Sequence, residues 1–194
     1  MTVSVLSLPE PEDFSGKILL EAKGISLHRK GRAVLKSVDL RVYQGEVVAL
    51  LGANGSGKST FLSILSGQEK DHQGSVILNG HNVTTLSRSR RKKEGLEVFQ
   101  TNRKKSNLVQ VAESIHDGLQ VLCFDEPTQG TALNSLTAKS IHALFDSLKK
   151  SGCGVLITNH NVRECLSYVD RAYIIFEGRI IHEGDADTII SEPL

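Results

Sequence analysis

The stretch Gly52-Ala53-Asn54-Gly55-Ser56-Gly57-Lys58-Ser59-Thr60 narrows the fold of this chain more than any other. Its spacing is G-x-x-x-x-G-K-[ST], with glycines that let main-chain N–H groups turn toward an anion, closed by a lysine and two hydroxyls. Its neighbours meet the demands of such a turn. Glu46-Val47-Val48-Ala49-Leu50-Leu51 is a short apolar run of the kind found in a buried parallel strand. Phe61-Leu62-Ser63-Ile64-Leu65 has the apolar spacing of a helix lying on a sheet. A strand, a glycine-rich turn and a helix N-terminus in that order make an anion site, because the helix dipole adds to the N–H groups. The chain is therefore expected to bind a nucleoside triphosphate. Gly52 to Thr60 cradle its phosphates, Lys58 reaches the β- and γ-phosphates, and the Ser59 hydroxyl holds Mg2+.

A length of 194 residues leaves room for one domain with enough core to fold without staples. The net charge of +1 provides no overall basic field for nucleic acid. Cys123, Cys153 and Cys165 form no C-x-x-C and point to reduced thiols in a cytosolic compartment. Residues 1–16 hold Glu10, Glu12 and Asp13 with Pro9 and Pro11, and lack the basic and apolar regions of a signal peptide. They are expected to be a flexible tail, leaving one nucleotide-binding domain over 17–194. No apolar run approaches the length of a membrane span, so a membrane role has to pass through a partner.

Ile18 to Ala22, Ser37 to Tyr43 and Ser75 to Leu78 read as strands, separated by turns at Lys30-Gly31-Arg32 and Gln44-Gly45. Asn79-Gly80 is a hairpin signal. These strands predict an antiparallel layer beside the nucleotide-binding sheet. Leu86 to Lys105 is polar and basic, with Arg88, Arg90, Arg91, Lys92 and Lys93, then Arg103, Lys104 and Lys105. Runs this short are expected to be solvated loops. A helix is expected over 107–115, and Val121-Leu122-Cys123-Phe124 reads as a second buried strand. Leu136 to Lys150 is amphipathic, with Ile141, Leu144, Phe145 and Leu148 on one face, and Gly152 and Gly154 closing it. Val155 to Thr158 makes a third parallel strand, and Ala172 to Phe176 with Ile180 to His182 a terminal hairpin. The expected class is α/β: a P-loop fold, its mostly parallel sheet flanked by helices, with right-handed crossovers.

The strand over 121–124 runs into Asp125-Glu126-Pro127. In a phosphate-loop enzyme an acid closing a neighbouring strand completes the magnesium shell, a role that fits Asp125. Glu126 would then stand beside the γ-phosphate and polarise the attacking water. His160 follows the third strand, at the carboxyl edge where ligands bind in open α/β sheets, and could stabilise charge developing on that phosphate.

The loop GANGSGKST, the segment VLCFDEP and the histidine of ITNHNVRE resemble the nucleotide-binding domain of ABC-type ATPases from about Ile18 to the end. GVLITNHNVRECL followed by DRAYIIFEGRIIHEGDADTII is most similar to the ATPases that drive lipopolysaccharide export, with branched-chain amino-acid and sugar importer ATPases close behind. The resemblance implies ATP and Mg2+ as ligands, Lys58 on phosphate, Ser59 and Asp125 on the metal, Glu126 as general base and His160 as switch histidine. It makes Gln100 the glutamine that senses the γ-phosphate, shares in the metal site and touches a membrane subunit. It also implies transmembrane partner subunits, a homodimer or a heterodimer with another ABC ATPase, and a cytoplasmic place on the inner face of the membrane. No nucleic acid is expected.

The family signature, LSGGQ or close to it, is not found between Gln100 and Val121. About twenty residues stand there, several times fewer than the family uses, so the helical subdomain reads as truncated. Thr101-Asn102-Arg103-Lys104-Lys105 could take the signature's place, but without its glycines and with bulky cations. No aromatic stands near His28-Arg29 to stack on adenine, leaving either of these to do so, and the dimer-contacting loop over 129–134 offers Asn134 in place of an aspartate. Two further readings stay open: a nucleotide-loaded regulatory module with little turnover, and, last in order, a nucleic-acid-associated ATPase suggested by the two basic runs.

Overall fold

Apolar residues in unbroken succession, Val47 to Leu51, form strand β3 (Val47–Leu51), and every one is buried. A strand can be apolar throughout only if both its faces are covered. Here the covers differ. Val48 and Leu50 belong to one core cluster, with Phe61, Leu62 and Leu65; Val47, Ala49 and Leu51 belong to the other, with Ile141, Phe145 and Leu148.

The computed structural model describes residues 16–99, 118–127, 138–161, 165, 167–185 and 188–189. The elements in chain order are β1 (Ile18–Arg29), β2 (Arg32–Tyr43), β3, α1 (Lys58–Leu65), β4 (Gln73–Leu78), β5 (His81–Asn82), α2 (Arg88–Lys93) and β6 (Leu96–Phe99). Then come β7 (Val121–Asp125), α3 (Ala138–Lys150), β8 (Gly154–Asn159), β9 (Arg171–Phe176) and β10 (Arg179–Asp185). One sheet has the order β2-β1-β4-β5 and is antiparallel throughout. The other has the order β10-β9-β3-β8-β7-β6, and only its β10–β9 hairpin is antiparallel. The expected α/β class and its added antiparallel layer are both present.

Several details depart from the sequence reading. β1 and β2 run for 12 residues each, well past the expected ends, because they pair with each other and β1 also with β4. β9 belongs to the parallel sheet, pairing with β3 as well as with β10. Gly154 does not close a helix. It opens β8, where a Cβ would stand 2.8 Å from Val42 Cγ1. The basic run over 88–93 is a helix, not a solvated loop, and β6 follows it unforeseen. The tail over 1–15, the helix expected over 107–115, the stretch over 101–105 and the loop over 129–134 lie outside the described residues.

The two sheets are tied by a buried charge. Arg171 on β9 is 2% exposed; its Nε donates to Glu46 Oε1 at 2.8 Å, and its Nη2 to the Arg41 carbonyl at 3.0 Å. Nη1 donates to Tyr173 Oη at 2.7 Å and to Glu183. Burial alone would depress this guanidinium, but the Glu46 carboxylate holds its pKa above the ordinary range. Burial in turn pushes the Glu46 carboxyl upward, and Arg171 opposes that shift. Glu46 Oε2 also accepts the Tyr43 N–H at 2.8 Å, which anchors the turn leading into β3.

Candidate nucleotide site

Gly57 is the N-cap of α1, at φ 115°, and as a glycine it supplies no side-chain cap to the helix's first amides. The leading N–H groups of a helix have no partners within it, so they remain directed at whatever lies in front. A Cβ on Gly57 would stand 2.8 Å from Leu35 Cδ2 in a conformation that L residues rarely adopt, and one on Gly52 only 2.3 Å from the Ile175 carbonyl. The loop is thus seated against β2 and β9. Gly178 N–H donates to Ser56 O at 3.0 Å, while Gly178 O accepts the Lys36 N–H at 2.8 Å. Ala53, Asn54 and Gly55 form the exposed tip, Ser59 is exposed on the first turn of α1 and Thr60 is half-buried. The Ser56 hydroxyl is buried with no partner among the described residues, which is unusual for a polar atom and suits a phosphate oxygen.

The acids come from the neighbouring strands by register. Alternation along β7 puts Cys123 in the α1-side core, and Asp125, two residues on, faces the same way. Alternation along β8 does the same for Leu156 and Thr158, and Asp125 pairs directly with Thr158. Asp125 Oδ1 accepts the Thr158 hydroxyl at 2.7 Å and the Ser59 hydroxyl at 3.3 Å. Glu126 breaks the alternation, at φ 46°, and its N–H points back to Thr158, 3.1 Å from both the carbonyl and Oγ1. Its carboxylate Oε1 lies 3.3 Å from His160 Nδ1. Lys58 is 5% exposed and its ammonium donates to Gly52 O at 2.6 Å and Ala53 O at 3.1 Å. Burial lowers the Lys58 pKa from its ordinary 10.5, and the charges of Glu126 and Asp125 oppose the shift.

Lys58, Ser59, Asp125, Glu126 and His160 therefore meet at the carboxyl ends of β3, β7 and β8, where open α/β sheets bind their ligands. Gln100 lies outside the described residues. No group of three or more His, Cys, Asp or Glu suited to a metal exists among the described residues. One hydroxyl and one carboxylate match what Mg2+ takes from a protein when phosphates and water supply the rest. A cavity of about 310 Å³ beside Gln44, Gln120 and Cys153 opens at the opposite end of the strands, away from the loop. Thr158 went unnoticed in the sequence. Its signal was a hydroxyl closing an otherwise apolar strand, in register with the acid of the neighbouring one.

A family profile described as ABC transporter matches residues 35–113. A probable ABC transporter ATP-binding protein of Azorhizobium caulinodans is 31% identical over 226 aligned positions, spanning 90% of this chain and 80% of that protein. The chain belongs to the ABC transporter ATP-binding proteins. This ABC subunit is also 26% identical to the lipopolysaccharide export system ATP-binding protein LptB of Escherichia coli K12, over 89% of its own length and 93% of the relative's. An ATP-binding cassette of an ABC transporter, solved in its ADP conformation, shares the fold with a TM-score of 0.80 at 20% identity, covering 91% of this subunit and 96% of that chain. Because 226 aligned positions take in only 90% of a 194-residue subunit, the Azorhizobium relative carries internal residues that this one lacks. ABC ATP-binding proteins bind nucleotide and work with transmembrane components, and here no described helix is long and apolar enough to cross a membrane.

Proposed function

We propose that this subunit binds ATP with Mg2+ and hydrolyses it as one half of an ABC ATPase dimer, energising transport through separate transmembrane subunits on the inner face of the membrane. The observation that carries the reading is the convergence of Lys58, Ser59, Asp125, Glu126 and His160 at one end of three adjacent strands. Lys58 and the free amides of α1 bind phosphate oxygens; Ser59 and Asp125 hold Mg2+, which when bound neutralises charge on the triphosphate. Glu126 takes the proton of the attacking water, and His160 orients its carboxylate. Gln100, the residue after β6 in the sequence, is assigned the sensing of the γ-phosphate, a share in the metal site and the contact with the membrane subunit. The nucleotide-binding domain is assigned to 17–194.

The residues absent relative to the relatives are placed, in this reading, between Gln100 and Val121, where the signature belongs. A homodimer would lack the signature's donors at both sites, so the working partner is an ABC ATPase that retains them. Similarity to the LptB proteins favours lipopolysaccharide as cargo. Phosphate release is the test, measured on the pure chain and on a mixture with a signature-bearing ABC ATPase carrying Glu→Gln at its own catalytic base. The mixture is expected to exceed the pure chain by about a hundredfold, the usual cost of a missing transition-state donor. Brisk release by the pure chain overturns the need for a partner. No release in either leaves the regulatory module.

A further inference from the structure

We propose that Thr158 is a positioning residue for the metal–nucleotide site, setting Asp125 and Glu126 from the neighbouring strand; this rests on the function proposed above. Thr158 has 0% exposure, which cuts its hydroxyl off from bulk water, and its partners come from the protein. A hydroxyl carries one proton and two lone pairs. The proton goes to Asp125 Oδ1 at 2.7 Å, and a lone pair receives the Glu126 N–H at 3.1 Å. One side chain therefore restrains the carboxylate assigned to the metal and the main chain of the assigned base.

Both restraints answer a definite need. Asp125 Oδ1 also takes the Ser59 hydroxyl, at the longer distance of 3.3 Å, so the Thr158 bond is the shorter of the two and fixes the carboxylate's rotation. Glu126 occupies the left-handed region at φ 46°, which is unfavourable for a residue with a Cβ and persists only when its surroundings hold it there. That conformation turns the Glu126 side chain out of the strand's alternation to within 3.3 Å of His160. The Thr158 carbonyl and hydroxyl, both 3.1 Å from the Glu126 nitrogen, supply that hold. Threonine suits the place because its methyl group fills space in an apolar strand while its hydroxyl serves the acids.

Thr158→Val keeps the shape and removes both bonds. The experiment is calorimetric titration of ATP, with Mg2+ and with EDTA, into the full chain, Thr158→Val and Thr158→Ser, with melting curves as the check on folding. For the wild type, Mg2+ is expected to tighten binding. In Thr158→Val that gain should shrink about tenfold while the affinity in EDTA stays unchanged, and Thr158→Ser should restore it. A full Mg2+ gain in Thr158→Val overturns the proposal, as does equal loss with and without Mg2+, which marks a merely structural role. Should Thr158→Val not fold, Thr158→Cys, with only a weak donor, takes its place with the same outcomes. Absence of any Mg2+ gain in the wild type overturns the proposed function itself, a result distinct from either.

Discussion

The Lys58 ammonium is buried, which disfavours its charge, and the carboxylates of Glu126 and Asp125 offset only part of that, leaving its pKa below 10.5. In the unfolded chain Lys58 keeps its ordinary value. Between the two values the unfolded chain holds more protons, so the folded state gains stability as pH rises through the lowered pKa. A bound triphosphate has the opposite effect, because its negative charge favours the ammonium. ATP binding should therefore take up protons in that window, and affinity should fall as pH rises through it. Calorimetry in two buffers of different ionisation enthalpy reads the uptake directly, and Glu126→Gln should move the decline to lower pH. Affinity that stays flat up to pH 10.5 contradicts this. Most of these residues were legible in the sequence, because phosphate binding needs its glycines, lysine and hydroxyl contiguous along the chain. Thr158 was not, since its value depends on pairing with Asp125 across strands far apart in sequence.

At the scale of elements, α2 shows how a charge run misleads. Arg91 is 1% exposed, and its guanidinium donates to the carbonyls of Ile64 and Leu65 at 2.6 and 2.8 Å, and to those of Thr84 and Leu86 at 2.6 and 3.2 Å. It caps the C-terminus of α1, whose own last turn has no basic residue, and favours the helix dipole. Burial pulls the Arg91 pKa down to about 10, so the charge is retained at neutral pH. Arg88 donates to the Val98 carbonyl at 2.7 Å and Lys92 pairs with Glu97 at 2.6 Å, which fastens β6 just before Gln100. In one dimension these cations look alike, and only the packing of α2 on α1 and β6 tells them apart. Arg91→Met should cost about 2–4 kcal/mol in urea unfolding, since it orphans buried carbonyls. Arg90→Ala, at an exposed position on the same helix, should stay within about 0.5 kcal/mol. Equal effects would refute the capping role.

On the scale of the whole molecule, the order β10-β9-β3-β8-β7-β6 places β3 and β7 on either side of β8, so that the loop after β3 and the acids ending β7 face one another across His160. Strand–turn–helix order made the parallel sheet legible, but not the place of β9 beside β3 or the bonds of Arg171 to Glu46 and to the Arg41 carbonyl of the other sheet. Both rest on partners more than a hundred residues away along the chain. The claim on which the rest depends is that Lys58 grips the nucleotide while Glu126 acts on it afterwards. Equilibrium binding of ATP with Mg2+ to the wild type, Lys58→Ala and Glu126→Gln tests it most directly, with each variant first shown to melt as the wild type does. Saturable binding by the wild type and Glu126→Gln, with none by Lys58→Ala, is the predicted result. Undiminished binding by Lys58→Ala, or equal loss in both variants, would contradict it.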